Sequence, residues 1–416
     1  VKQSIKIFSL LFIVNLAKAQ DTLNSALVNQ KTFDLYVQKN WKELDRQGIN
    51  FLKRGYDYYY LRMRVGIAYY ERKNYCLAEK HFAEALHFNS HDELAMEYLY
   101  YCYIFTGRRE DARWLSKKFT ADLARKVGVK SDAAVSDIFV EGGTKLTDSS
   151  AYYDKMRKEK SNYYNPSSYF HIGLTHYVQN RFSLFHGITL YSQDNFTGSI
   201  KQNQYYIKAA VPLRKNWMGV ASFHAINIHV TSSIPNQPPH RPGMPPRQQT
   251  SSTTISNYIA ATAAAQKFFG RINVGVGATF TNMYGTNLLI HYGTFSYYIF
   301  GNSKVVAGAT AYLHTSDSYS SFNYALSPFL YLQPIDKFSA KISYFRNSGS
   351  NIIEDNGYVV NNSPDITNSR TSILLNYYCT KHFTIYALLQ KEYKTEKYQL
   401  FNYNYNVIVG GVRFWL

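Results

Sequence analysis

From Ser136 to Leu416 one pattern recurs, and it restricts the fold more than any other feature of the chain. Runs of about ten or more residues alternate apolar with polar or small side chains, and the connections between runs are short and long in turn. Ile272, Val274, Val276, Ala278 and Phe280 alternate with Asn273, Gly275, Gly277 and Thr279. Phe338, Ala340, Ile342 and Tyr344 alternate with Ser339, Lys341 and Ser343. Phe383, Ile385, Ala387 and Leu389 alternate with Thr384, Tyr386 and Gln390, with Leu388 the exception. A period of two is that of an extended strand whose faces meet different surroundings. Short connections fall at 179–181, 214–216, 269–271, 301–303, 334–336 and 380–381. Longer ones fall at 147–166, 195–200, 231–252, 282–286, 316–320, 347–368 and 393–402. Thirteen connections require fourteen strands, and an even number returns both ends to one side.

The last run, 404–416, shows which solvents the two faces meet. Ile408, Gly410, Val412, Phe414 and Leu416 form an uncharged face, opposite Val409, Gly411, Arg413 and Trp415. Such a strand lies between lipid and water, and it resembles the C-terminal strand that outer-membrane barrels present to their assembly machinery. Composition agrees: 17% of residues are aromatic, with 39 Tyr, as interfacial girdles require. Mean hydropathy is −0.33, and past the first twenty residues there is no apolar run of the roughly 20 residues that a membrane helix needs. A barrel escapes hydropathy because only alternate residues face lipid. The rival, a periplasmic β-sandwich, uses shorter strands. The expectation is a transmembrane antiparallel β-barrel of about 14 strands over 131–416, with short turns in the periplasm and long loops outside.

Ahead of it, residues 1–19 read as an export signal: Lys2 and Lys6, an apolar run from Ile7 to Val14, then Ala17-Lys18-Ala19. Residues 20–130 read as a periplasmic helical repeat domain. Val65, Gly66, Tyr69, Ala78, Phe82 and Ala85 fall on the small and large positions of a tetratricopeptide (TPR) repeat, which the segment resembles. A 34-residue step carries Val65 to Leu99, Tyr69 to Tyr103 and Ala78 to Ala112; stepping back reaches Leu35 and Leu44. That gives about three units, the smallest stable stack. Tyr58, Tyr59, Tyr60, Arg62 and Arg64 on one first helix are candidates to line a partner-binding groove, the other reading being a solvated helix face.

Of the net charge of +18, +10 lies within 131–416. No nucleic-acid module accompanies it, so nucleic acid is not expected; lipopolysaccharide phosphates or anionic solutes are the expected anionic partners. Inward-facing charges are expected at Glu141, Lys208, Lys341, Arg370, Glu392 and Arg413, either as a selectivity ring favouring anions or as ion pairs filling a closed lumen. The cationic segment 235–247 and the basic stretch 155–160 are surface loops, mobile or resting on lipopolysaccharide. No nucleophile motif appears, so no catalytic residue and no enzyme activity is expected. His171, His176, His186, His224, His229, His291 and His314 read as interface histidines, with His224 and His229 on opposite strand faces. No Cys and His spacing suits a metal, and no cofactor is expected. Cys76 and Cys102 either bridge or remain as an exposed thiol and a buried one.

This layout resembles the TPR-containing outer-membrane barrels of the YaiO-like type, and more distantly the exopolysaccharide export porins. The resemblance implies an outer-membrane channel or export porin whose periplasmic TPR domain docks a protein partner. The alternative is a non-conducting outer-membrane structural or assembly scaffold, with an enzyme barrel third.

Overall fold

The computed structural model describes residues 24–129, 135–147, 164–195, 198–233, 251–283, 287–316, 322–348, 352–360, 365–395 and 402–416. The export signal and the segments 155–160 and 235–247 lie outside the described residues.

Seven helices come first: α1 Ser25–Val37, α2 Trp41–Lys53, α3 Tyr59–Glu71, α4 Tyr75–Phe88, α5 Glu93–Phe105, α6 Arg109–Ser116 and α7 Ala121–Val127. The first six form pairs in a 34-residue register. Ser25, Tyr59 and Glu93 open the first helices of the pairs, and Trp41, Tyr75 and Arg109 the second ones. Between them Lys39, Lys73 and Gly107, also 34 apart, take positive φ of 54°, 58° and 76°. Asn24 and Asn40 cap α1 and α2 by accepting from the amides of Leu27 and Glu43. Thr120 caps α7, and Gly128 ends it in the left-handed conformation.

The compact units part between Cys102 and Tyr103, inside α5. In the first unit Val28, Phe51, Leu61 and Val65 pack together, and Phe82 is fully buried, worth about 1.5–3 kcal/mol. Gly66 explains why a small residue is needed there: a Cβ on it would stand 2.8 Å from the Phe82 ring. Cys76 and Cys102 are both buried, as thiols, so the reading of Cys76 as an exposed thiol is corrected.

The second unit holds a closed antiparallel barrel of fourteen strands. They are β1 Val135–Thr147, β2 Tyr164–Val178, β3 Phe182–Asn195, β4 Gly198–Pro212, β5 Trp217–Ser233, β6 Ser251–Phe269, β7 Ile272–Thr281, β8 Leu288–Tyr298, β9 Val305–Ser316, β10 Phe322–Ile335, β11 Phe338–Asn347, β14 Ile366–Tyr378, β15 Phe383–Thr395 and β16 Asn402–Trp415. β12 Ile353–Glu354 and β13 Val359–Val360 pair apart from the barrel as a small hairpin. The wall closes where β1 meets β16, from Asp137 opposite Trp415 to Thr147 opposite Tyr405. Because facing alternates strictly, that register fixes the inner set: Phe139, Glu141 and Lys145 of β1 share a face with Tyr405, Gly411 and Arg413 of β16. The outer set is apolar and exposed, including Ile172, Ile188, Val276, Leu289, Ile342, Ile408 and Phe414.

Candidate functional site: the barrel lumen

Alternation places six cations on the inner face of the described strands, Lys145, Lys208, Lys341, Arg370, Lys394 and Arg413, against three acids, Asp137, Glu141 and Glu392. Asp365, just before β14, accepts from the Tyr403 hydroxyl. Glu392 lies 2.7 Å from Lys145 Nζ and 3.8 Å from Lys394 Nζ. Glu141 accepts from the hydroxyls of Tyr169 (2.5 Å) and Tyr386 (2.6 Å), and Gly411 is small because a Cβ there would strike that Tyr386 ring. Arg413 Nε stands 3.7 Å from Asp137, with its guanidinium over the Phe139 ring. Lys208 and Lys341 face rings, those of Phe185 and Phe329, at 5.9 and 4.9 Å. Near the turn end a cavity of about 170 Å³ is lined by Leu374, Asn376, Thr384, Tyr386, Arg413 and Trp415, among others.

Within the connection 347–368, read from sequence as one of the outside loops, residues 352–360 lie inside the lumen instead. Residues 352–360 form a hairpin with a four-residue loop between Glu354 and Val359, in which Asp355 and Asn356 both take positive φ (50° and 57°), as a type I′ turn requires. Ile352 and Ile353 join an apolar cluster with Ile226, Ile228, Ile290, Tyr312 and Phe345 of the wall. At the tip the Asn356 carbonyl accepts from Tyr206 Oη (2.9 Å) and from Ser222 Oγ, and Asn356 Oδ1 accepts from Tyr292 Oη (2.6 Å). His224 Nδ1 bonds the Gly357 carbonyl (2.8 Å), and Tyr358 Oη bonds His171 Nε2 (3.2 Å). Arg370 Nη2 donates to both carboxylate oxygens of Glu354, at 2.9 and 2.7 Å. Side chains of β2, β4, β5, β8 and β14 meet on one hairpin only if it lies across the lumen. Gly357, with φ of 84° and Thr262 and Ser222 close by, leaves no room for a side chain at that tip.

The turn end of the lumen is met by α6. Arg108, just before it, is buried: it pairs with Asp111 (2.7 Å), donates to Asn216 Oδ1 (3.2 Å) and is sandwiched between the rings of Tyr103 and Phe268 at 4.5 and 4.4 Å. Arg109 lies over Trp415 and Arg113 over Tyr177, while Ser183 donates to Glu110. Phe268, Trp415, Tyr177 and Ser183 all belong to the inner face.

The histidines divide. His171, His224 and His314 are buried inside the lumen, which corrects their reading as interface residues, while His176 and His186 stack on the outer face. Among the described residues no group of three or more His, Cys, Asp or Glu is placed to hold a metal.

In the helical unit Arg62 is bidentate to Asp57 (2.7 and 2.5 Å), and Arg64 donates to Asn29 and Thr32 while lying over Phe33 and Tyr60. Tyr59 donates to Asp92 and Tyr58 packs on the core, leaving Tyr60, 61% exposed, as the open member of the five. Burial beside the Arg62 cation lowers the pKa of His81 to about 3.

Sequence reasoning missed Glu354, Asn356, Tyr358 and Arg108. The signal for the first three was Asp355-Asn356-Gly357 behind Ile352-Ile353, a hairpin turn with an apolar arm that has no place in a solvated loop.

No family model matches the sequence, and no curated protein matches it. Among solved structures the chain is similar to the outer membrane protein Omp33 of Acinetobacter baumannii, at 11% identity over 68% of this chain and 100% of that one, with a TM-score of 0.36. It is similar also to the toluene transporter TodX of Pseudomonas putida, at 7% identity over 71% and 93%, with a TM-score of 0.41. A bacterial polysaccharide outer membrane secretin matches at 9% identity over 68% and 99%, with a TM-score of 0.37.

Proposed function

We propose that this chain is an outer-membrane channel whose lumen favours anions and whose TPR-like helical repeats dock a periplasmic protein. The observation that carries the channel reading is the contrast between the two faces of a closed barrel. An exposed apolar outer face suits lipid, and an inner face that carries twice as many strand cations as acids suits a path for anions. In this reading Glu141, Lys208, Lys341, Arg370, Glu392 and Arg413 set the field in the lumen, the cationic segments 155–160 and 235–247 meet lipopolysaccharide, and the short turns face the periplasm. Whole-cell labelling tests the orientation: Ser252→Cys reacts with an impermeant maleimide and Lys215→Cys does not, and the reverse pattern overturns it.

The second reading, a non-conducting scaffold, is favoured by the hairpin in the lumen and by α6 at the turn end. Planar-bilayer recording of the refolded full chain, alongside a variant in which a short Gly-Ser link replaces 349–364, separates the two. Ion-selective steps in either form support the channel; silence in both, with folded barrels, leaves the scaffold.

A further inference from the structure

Across the lumen the hairpin is held by a particular set of bonds. Its apolar arm contributes Ile352 and Ile353, but the turn and the strand leading to it are held by polar groups: three hydroxyls, two imidazoles and one guanidinium. All six come from the wall. The hairpin carries two acids, Glu354 and Asp355, into a lumen whose strand wall has an excess of cations. Glu354 is buried, and both of its carboxylate oxygens are taken by Arg370. Both bonds come from one guanidinium nitrogen, Nη2, a charge-assisted contact of the kind with which arginine holds oxyanions. Remove the hairpin, and Arg370 is a cation on the inner face with Lys145, Lys394 and Glu392 near it on β1 and β15.

We propose that the hairpin 352–360 is a tethered anionic gate: its Glu354 occupies on Arg370 the position that an oxyanion group, carboxylate or phosphate, takes when the hairpin withdraws. The closed state is thus a self-inhibited one. Withdrawal removes two negative charges from the path and uncovers a cation-rich wall in one step, so opening and anion selectivity arise together. This rests on the channel reading and deepens it by naming its regulation and the class of solute.

The test is single-channel recording of the full chain in planar bilayers under a potassium chloride gradient. Glu354→Gln, which keeps the shape and removes the charge, is expected to raise the open probability about tenfold or more, the range for losing a charge-assisted bond. The Gly-Ser replacement of 349–364 should be open most of the time, with a reversal potential on the chloride side. Inorganic phosphate and acetate, compared as blockers, reduce the chloride current through Glu354→Gln, and the relative block tells which oxyanion Arg370 prefers. Adding Arg370→Gln abolishes the block. The double variant Ser222→Cys with Asn356→Cys locks the tip to β5; it stays closed until a reductant is added, which shows that the barrel itself is sound. If wild type is as open as the replacement variant, the hairpin is no gate although the channel reading stands. Cation-selective current through the opened forms overturns the anion assignment. Silence in every form, with heat-modifiable barrels on a gel, removes the channel reading and the gate with it.

Discussion

Three positions in the helical unit show how much a side chain's neighbours change its role. Arg62 has the sequence profile of an exposed recognition residue, yet its guanidinium closes on Asp57 beside His81. Arg62→Glu is therefore expected to lower the stability of the helices by about 1–2 kcal/mol, a charge-assisted pair discounted for the partly exposed Asp57. Thermal melting followed at 222 nm on the full chain reads this loss. Tyr60→Ala, at the exposed position, should leave the melt unchanged while weakening photo-crosslinking to a periplasmic partner. His81 gives the pH dependence. Its folded pKa, about 3, lies below its ordinary value of 6.5, so the unfolded chain binds the proton and the folded one resists it. The helices then lose stability as pH falls from 6.5 towards 3 and lose nothing on this account above 6.5. His81→Phe should flatten that slope in melts taken between pH 4.5 and 7.5.

At the scale of elements, α6 and the hairpin both leave the regular pattern of their neighbourhoods. α6 stands in 34-residue register with α2 and α4, yet it packs its arginines on rings of the barrel's inner face. Breaking the Arg108–Asp111 pair tests that packing. Arg108→Ala strands Asp111 in a buried site, at a cost of about 3–5 kcal/mol, so α6 is expected to leave the turn end. Ser183→Cys, buried beside Glu110 in the parent, should then react with a thiol reagent; unchanged protection would mean that α6 is held by other contacts. The hairpin differs in that its partners are far away in sequence: Asn356 bonds Tyr206 and Ser222, and Tyr358 bonds His171.

For the whole molecule the decisive event is closure of β1 on β16. The Leu416 amide donates to Ser136 O, the Trp415 amide to His382 O, and Phe414 lies opposite Ile138. Removing 414–416 deletes the Leu416 bond at the seam and the Trp415 bond on the β15 side, and leaves the start of β1 at Asp137 and Ile138 without its partner strand. The truncated chain should fail to form the heat-modifiable species on a gel and be degraded in cells; normal mobility and normal abundance would show that the seam tolerates the loss.

Much of this architecture is local, and local rules are what a sequence states. The period of two decides which residues of β7, β11 and β15 share a face, and alternating short and long connections give the count of fourteen strands. The 34-residue step sets the helix pairs, because a small buried residue such as Ala78 returns as Ala112 where the next two helices approach. What the tertiary structure alone decided is what enters the lumen. Whether the hairpin 352–360 stays outside or turns in depends on whether Tyr206, Ser222, His224 and Arg370 converge on it, and they converge only once the sheet has closed. The same holds for Arg108, whose carboxylate is three residues away but whose covering ring, Phe268, is supplied from across the fold. Periodicity describes a wall; long-range hydrogen bonds and buried charge pairs decide what fills it.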